Sequence, residues 1–180
     1  MPIVRGKDIE VLYSASAIAR RNLELAKEIA ARDYHDRLVI SVLKGSFIFA
    51  ADLIRAMHDV GLSPEVEFIF ISSYGAGTTS GEVRVLRDID NDVAGRDVLL
   101  IDDILESGKT LAFTRKLMME RGAKSCSIAV LLDKRMRRQA DLEADYVGFD
   151  CPDHFVVGYG MDVAHAFREL PFVGVVTGDA

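Results

Sequence analysis

The chain has 180 residues, a formal net charge of −6 and 49% hydrophobic residues. This length is enough for one domain with a sizeable core, and the hydrophobic content is that of a globular protein rather than a disordered one. The negative charge argues against a dedicated nucleic-acid-binding protein, which is usually basic, but it does not exclude a small anionic ligand.

The sequence shows no sign of export or of membrane insertion. Its two cysteines, Cys126 and Cys151, match no C-x-x-C spacing, which favours reduced thiols. The N-terminal residues are charged, their apolar run is too short for a signal peptide, and no stretch approaches the ~20 apolar residues of a membrane span. We therefore expect a cytoplasmic protein with no membrane partner.

Helical and strand-like segments alternate along the chain. The first helix is indicated by Ile18, Leu25 and Ile29 at helical spacing, with Ser14 or Ser16 as its cap. The predicted helices are 14–33, 46–61 and 109–122, and the predicted strands are 38–43, 66–72, 83–88, 97–102 and 125–133, followed by short strands within 145–151, 155–162 and 172–178. A Gly-, Ser- and Thr-rich loop at 74–82 is expected to be mobile.

This alternation predicts an α/β fold with a mostly parallel sheet. In such sheets ligands bind beyond the carboxyl ends of the strands. Polar clusters follow three of the predicted strands: Lys44 with Gly45, residues 102–110, and Lys134. We therefore expect these clusters to form one site.

Two glycine-rich motifs resemble nucleotide-binding loops but lack a required residue. Residues 106–110 read ESGKT, yet Asp103 stands where a P-loop needs its first glycine. Residues 75–80 read GAGTTS, with Ser80 in place of the third glycine of a dinucleotide loop. Neither motif predicts its usual ligand.

The segment after the strand at 97–102 still has the character of a phosphate site. Ser107 and Gly108 precede a helix that begins near Lys109, so backbone N–H groups are available to an anion, and Ser107 and Thr110 add hydroxyl donors. An ordinary capped turn is the alternative for this loop alone.

Asp102 and Asp103 make the ligand more specific. Two carboxylates repel a phosphate unless hydroxyl groups or a cation lie between them. Ribose hydroxyls meet that need, and so does Mg²⁺ held mainly by the ligand's own oxygens. The pair therefore favours a ligand with a diol, a phosphate and a metal-bound diphosphate.

Residues 98–111, VLLIDDILESGKTL, resemble the phosphoribosyl-pyrophosphate signature of the type I phosphoribosyltransferases. Further segments resemble the hypoxanthine-guanine branch of that family, namely 43–46, 72–90, 131–134 and 145–176. The resemblance implies the type I phosphoribosyltransferase fold, a mostly parallel twisted sheet flanked by helices. It also implies a single domain, 1–180, with a core at about 34–140 and a small hood formed by about 1–12 and 141–180.

Members of this branch transfer phosphoribose from phosphoribosyl pyrophosphate to N9 of a 6-oxopurine and release pyrophosphate. The resemblance thus implies purine salvage, making IMP from hypoxanthine or GMP from guanine, with Mg²⁺ and a homodimeric or homotetrameric assembly. A xanthine-preferring transferase and a non-catalytic regulator that senses phosphoribosyl pyrophosphate remain as alternatives.

The resemblance assigns the sugar side of the site as follows. Asp102 and Asp103 match the acidic pair that binds ribose hydroxyls and metal. The 5′-phosphate loop is matched by Ser107, Gly108, Lys109 and Thr110. The pyrophosphate loop, where the family often has a cis peptide, is matched by Leu43, Lys44 and Gly45. Ser73 and Tyr74 match the loop that closes over the reaction.

It assigns the base side in the same way. Lys134 matches the lysine that donates to the purine 6-oxo group, which disfavours a 6-amino base. Phe155 matches the ring that stacks on the base, and Val156 the backbone that reads its edge. Asp162 matches a residue near a second Mg²⁺ and the base, and Arg168 an arginine that reaches the pyrophosphate.

Glu106 departs from the family pattern, in which an aspartate usually accepts the purine N7 proton. General-base catalysis is typically worth about 10²–10⁴-fold, and roughly 1 Å of misplacement can cost about 100-fold. The extra methylene of Glu106 requires either a backbone shift or a different base step. We expect Glu106 to remain the catalytic base and Lys109 to favour phosphate binding.

Overall fold

The structure, a computed structural model, describes residues 2–73 and 82–177. In chain order its elements are β1 (Ile3–Val4), β2 (Lys7–Tyr13), α1 (Ala15–Ala30), β3 (Leu38–Leu43), α2 (Phe47–Asp59), β4 (Glu65–Ser73), β5 (Val83–Arg87), β6 (Asp97–Leu105), α3 (Lys109–Glu120), β7 (Ser125–Asp133), β8 (Tyr146–Asp150), β9 (Val156–Val157) and β10 (Val173–Thr177). A short 3₁₀ helix, Arg135–Arg137, follows β7.

Six strands form the larger sheet, in the order β5-β4-β3-β6-β7-β8. All neighbours are parallel except β4 and β5, which are antiparallel. The mostly parallel sheet confirms the predicted α/β class. The order places β3, β6 and β7 side by side, so their carboxyl ends meet at one edge.

Successive side chains of each strand point to opposite sides of this sheet, and both sides are buried. Val39 and Leu99 pack with residues of α1 and α2 in one hydrophobic cluster. Leu38 and Leu100 pack with residues of α3 in another. Helices on both faces explain why these strands read as continuous apolar runs.

The helix ends follow the local signals. Ser14 is the N-cap of α1, where its Oγ accepts a hydrogen bond of 3.2 Å from the Ala17 N–H. At the end of α2, Gly61 adopts a φ of 90°, a conformation that favours glycine, and the helix ends at Asp59, close to its predicted bound of 61.

Four strands form a smaller antiparallel sheet, in the order β1-β2-β10-β9. Neither β1 nor β2 is among the strands predicted from the sequence. Towards the C-terminus, β8 pairs with β7 in the larger sheet. Gly148 permits this pairing because a Cβ there would lie 3.2 Å from Leu131 Cα and nearer still to the Leu131 carbonyl. The C-terminal contribution to the smaller sheet thus begins at Val156.

Both cysteines are free thiols. Within residues 2–73 and 82–177, the helices are all too short or too polar to span a membrane.

Candidate active site

Two adjoining cavities open at the edge where β3, β6 and β7 end. The first, here the lysine cavity, has a volume of about 170 Å³ and is lined by Asp103, Ile104, Glu106, Lys134, Phe155, Val156, Met161 and Asp162. The second, here the loop cavity, has a volume of about 290 Å³ and its lining includes Ser73, Asp102, Asp103, Glu106, Ser107, Gly108 and Thr110. They share Asp103, Ile104 and Glu106, so one ligand can extend through both.

The acidic pair lies inside β6, which runs three residues beyond its predicted end at 102. Asp102 and Ile104 pair with residues of β7, while Asp103 has no partner in that register. The Asp102 Oδ1 accepts the Asp103 N–H at 2.9 Å, and the Asp103 Oδ1 accepts the Ile104 N–H at 2.8 Å. These bonds hold both carboxylates in defined orientations at the strand end.

The environment of this pair disfavours two negative charges. Burial raises the pKa of Asp102 well above its ordinary value, and the neighbouring Asp103 carboxylate raises it further. Burial also raises the pKa of Asp103. Hydroxyl donors or a cation would relieve this cost, which is the property expected of a sugar- or metal-binding pair.

The start of α3 lies beside the pair and has the electrostatic character that favours an anion. Gly108, with a φ of 81°, is the N-cap of α3 and has no side chain to bond the first-turn N–H groups. The Lys109 N–H reaches the Ser107 Oγ at 3.3 Å. Because Gly108 and Thr110 line the loop cavity, the positive end of a twelve-residue helix faces it.

The turn after β3 contacts the acidic pair. The Leu43–Lys44 peptide bond is cis, as the family resemblance implies. At Gly45 an added Cβ would lie 2.9 Å from the Asp103 Cγ, so only a glycine fits against this carboxylate without a shift. The Lys44 Nζ lies 5.3 Å from the centroid of the Phe70 ring.

Lys134 and Glu106 meet within the lysine cavity. The Lys134 side chain is 6% exposed, and its Nζ donates a hydrogen bond of 3.1 Å to the Glu106 Oε1. The Lys134 backbone N–H donates to the Leu105 carbonyl at 2.9 Å, which fixes the lysine beside β6. Phe155 and Val156 also line this cavity. Val156 is buried, whereas Phe155 is 66% exposed, so its aromatic ring is accessible at the cavity.

Asp162 and Arg168 form a separate ion pair at this edge. The Arg168 guanidinium lies 3.1 Å from the Asp162 Oδ1 and donates to the Gly160 carbonyl at 2.6 Å. Asp162 lines the lysine cavity, whereas Arg168 lines a neighbouring cavity that also includes Ile48 and Tyr159. Lys44, Gly45, Lys109 and Arg168 are not among the lining residues of the first two cavities. Tyr74 and the remainder of the expected closing loop to residue 81 lie outside the described residues.

Sequence reasoning missed several residues of this site. In the run KRMRR (134–138), Arg138 is only 12% exposed and donates to the Glu106 carbonyl at 3.2 Å. Arg137 forms a 2.7 Å hydrogen bond with Asp153, which in turn lies 3.6 Å from the Lys134 Nζ. The position of the run directly after a strand end was the signal available.

The donor set suits a metal that the ligand itself helps to hold. Across the two described segments, no group of three or more His, Cys, Asp and Glu residues has the spacing of a metal centre. Mg²⁺ commonly uses one or two carboxylates and completes its shell with substrate oxygens and water. The partly buried Asp102 and Asp103 therefore fit Mg²⁺ as part of a metal–ligand complex.

Comparisons with known proteins identify the family. Residues 8–164 match the model of the phosphoribosyl transferase domain. The chain belongs to the phosphoribosyltransferase family. It is 48% identical over 173 residues to the hypoxanthine-guanine phosphoribosyltransferase of Bacillus subtilis, with 94% of each chain covered. It is 42% identical over 172 residues to the hypoxanthine phosphoribosyltransferase of Escherichia coli K12, covering 93% of this chain and 95% of the relative.

A solved structure of the same family matches the fold. The hypoxanthine-guanine phosphoribosyltransferase of Bacillus anthracis superposes with a TM-score of 0.87 at 42% identity, covering 94% of this chain and 100% of that one. The family and the fold class predicted from the sequence are thus confirmed.

Proposed function

We propose that the protein is a purine salvage phosphoribosyltransferase that joins a 6-oxopurine to the ribose of phosphoribosyl pyrophosphate and releases pyrophosphate. The observation that carries the proposal is the junction of the two cavities at Asp103 and Glu106. A nucleotide has a base, a diol and a phosphate in series, and the two cavities offer groups for each in that order.

The loop cavity would hold the sugar phosphate. Asp102 and Asp103 accept hydrogen bonds from the ribose hydroxyls, which compensates for the buried charge. Ser107, Gly108 and Thr110 bind the 5′-phosphate through the start of α3, where Lys109 adds positive charge. This assignment explains why an acidic pair adjoins a phosphate loop.

The lysine cavity would hold the base. Lys134 donates to the 6-oxo oxygen, and Glu106 accepts the N7 proton as bond formation at N9 makes the ring more acidic. Phe155 stacks on one face of the ring, and the backbone at Val156 reads its edge. A 6-amino base would present donors to Lys134 and is disfavoured.

The pyrophosphate would leave past the turn after β3. Leu43, Lys44 and Gly45 form that turn, and Arg168 contributes a second positive charge. Ser73 lines the loop cavity, and we assign to it and to Tyr74, which lies outside the described residues, a role in excluding water from the oxocarbenium-like ribose. Asp102, Asp103 and Asp162 are the proposed residues for Mg²⁺, which would neutralise charge on the departing diphosphate when bound.

The proposal extends to the setting of the enzyme. We place it in the cytoplasm because both of its cysteines are free thiols, as is usual in that reducing compartment. By analogy with the family we expect a homodimer or a homotetramer, which sedimentation equilibrium of the whole chain would distinguish.

Steady-state assays test the function directly. Purified protein with Mg²⁺ and phosphoribosyl pyrophosphate should convert hypoxanthine, guanine or both to the nucleotide, and the kcat/KM values rank them against xanthine. If kcat/KM is higher for xanthine than for hypoxanthine and guanine, xanthine is the preferred base. Binding of phosphoribosyl pyrophosphate without turnover of any base would instead indicate a regulator.

A further inference from the structure

Four charged side chains form a continuous cluster at the rim of the lysine cavity. Lys134 lies 3.1 Å from Glu106 and 3.6 Å from Asp153. Arg137 lies 2.7 Å from Asp153 and 3.9 Å from Glu106. Two cations thus face two carboxylates, and each cation contacts both acids.

The two acids differ in their relation to the cavity. Glu106 lines the lysine cavity, whereas Asp153 is not one of its lining residues. Asp153 lies in the turn that leads to Phe155, two residues before the exposed ring. Glu106 therefore contacts the Lys134 ammonium from the cavity side, whereas the exposed Asp153 contacts it from outside the cavity lining.

Binding of a base would change the partners of Lys134. The Lys134–Glu106 hydrogen bond joins the two groups that the proposed function directs to the 6-oxo oxygen and N7 of the same purine edge. A bound base therefore competes with this ion pair. When Glu106 accepts the N7 proton it also ceases to be a counterion, and a nearly buried ammonium without a counterion is costly.

Asp153 can remain with Lys134 through this exchange. It is fixed by two hydrogen bonds from Arg137, at 2.7 Å and 3.4 Å. Hydrogen bonds from Arg137 lower the pKa of Asp153, so it stays a carboxylate.

We propose that Asp153, held by Arg137, is a positioning residue that keeps the Lys134 ammonium aimed at the 6-oxo group while Glu106 turns to the N7 side of the base. This inference rests on the proposed function and deepens it, because it assigns the orientation of Lys134 to a pair of residues outside the cavity lining. Without Asp153, Lys134 would bond more firmly to Glu106, and the base would have to break that bond.

The variant Asp153→Asn tests this role in the full-length protein. It should raise the KM for the 6-oxopurine that the wild type uses best by about 10-fold, the effect of one hydrogen bond to a charged group. The KM for phosphoribosyl pyrophosphate should stay within about two-fold. Calorimetry should show the same split without turnover: IMP binds about 10-fold more weakly, and phosphoribosyl pyrophosphate binds as before.

Three further variants separate positioning from folding. Arg137→Gln should raise the same KM by about 3-fold, because it only frees Asp153 to move. Asp153→Glu retains a carboxylate and should restore most of the affinity for the base. Asp59→Asn removes an equal charge from the exposed end of α2, at the opposite edge of the sheet, and should change neither constant.

An unchanged KM for the base in Asp153→Asn would overturn the inference, and so would an equal rise in the KM values of both substrates. A wild-type protein that turns over no 6-oxopurine would refute the proposed function itself. The two failures are therefore distinguishable in one set of assays.

Discussion

Replacement of Gly45 by alanine should disable the proposed ribose site while leaving the fold intact. Gly45 does not have a positive φ, so alanine is compatible with its backbone. Its Cβ, however, would lie 2.9 Å from the Asp103 Cγ and closer still to Oδ2, whereas ordinary contacts begin at 3.4 Å. Asp103 must therefore retreat by at least 0.5 Å at Cγ, and further at its carboxylate oxygen.

The kinetic effect follows from this displacement. A misplacement of about 1 Å in a group that positions substrate can cost about 100-fold in rate. We expect Gly45→Ala to lower kcat/KM for phosphoribosyl pyrophosphate by on the order of 10- to 100-fold, or about 1.4 to 2.7 kcal/mol of transition-state stabilisation. The free energy of unfolding should change much less, because the clash involves a side chain at the mouth of a cavity.

Initial-rate assays at varied phosphoribosyl pyrophosphate, with saturating base, measure this loss. Gly95→Ala is the matched control, since its Cβ has nothing within 4 Å but its φ is 73°. It should cost about 1 kcal/mol of stability and leave kcat/KM unchanged. The double variant Gly45→Ala, Asp103→Ala should be no worse than Asp103→Ala alone. A kcat/KM within two-fold of wild type in Gly45→Ala would refute the reasoning.

Three other substitutions test the base, the acidic pair and a structural carboxylate. Glu106→Gln should lower kcat by at least about 100-fold with little change in KM for phosphoribosyl pyrophosphate, as rapid-quench assays would show. Asp102→Asn should weaken phosphoribosyl-pyrophosphate binding yet stabilise the ligand-free protein at pH 7 by about 1 kcal/mol. Because folding raises the pKa of Asp102, its carboxylate opposes folding above the unfolded value, so urea titrations should show this gain vanish towards pH 3. Asp97→Asn should cost about 1–3 kcal/mol at pH 7 with unchanged kcat. Against the effect of burial, hydrogen bonds from Ser125 and the His35 N–H lower the pKa of Asp97, so this cost should shrink as the pH falls through that lowered value. Equal losses at pH 3 and pH 7 would contradict the assignment.

Local patterns were sufficient for most elements of the larger sheet. The bounds of β3 and β7 agree with the predicted strands, because a continuous apolar run between polar residues is a local property. By contrast, three of the seven residues of β2 are charged, and this strand pairs with β10 from the far end of the chain. Strands of this kind exist through their tertiary partner, which no local window contains.

The loop of the candidate site shows the same division. The residues around Asp102 and Ser107 predict a sugar-phosphate ligand, because two carboxylates beside a phosphate loop need hydroxyl groups or a cation between them and the phosphate. The extension of β6 to Leu105 depends on its pairing with β7, which carries the acids into the sheet.

The sequence by itself determined the family and the alternation of apolar strands and helices. It also determined the type of ligand expected at residues 98–111. Each of these depends on residues that are close together along the chain. Only the tertiary structure decided that Lys134 contacts Glu106 and Asp153, and that Gly45 lies against Asp103. Such contacts depend on strand order and on the turns that follow each strand. They arise from packing over the whole sheet, which brings together residues that are far apart in sequence.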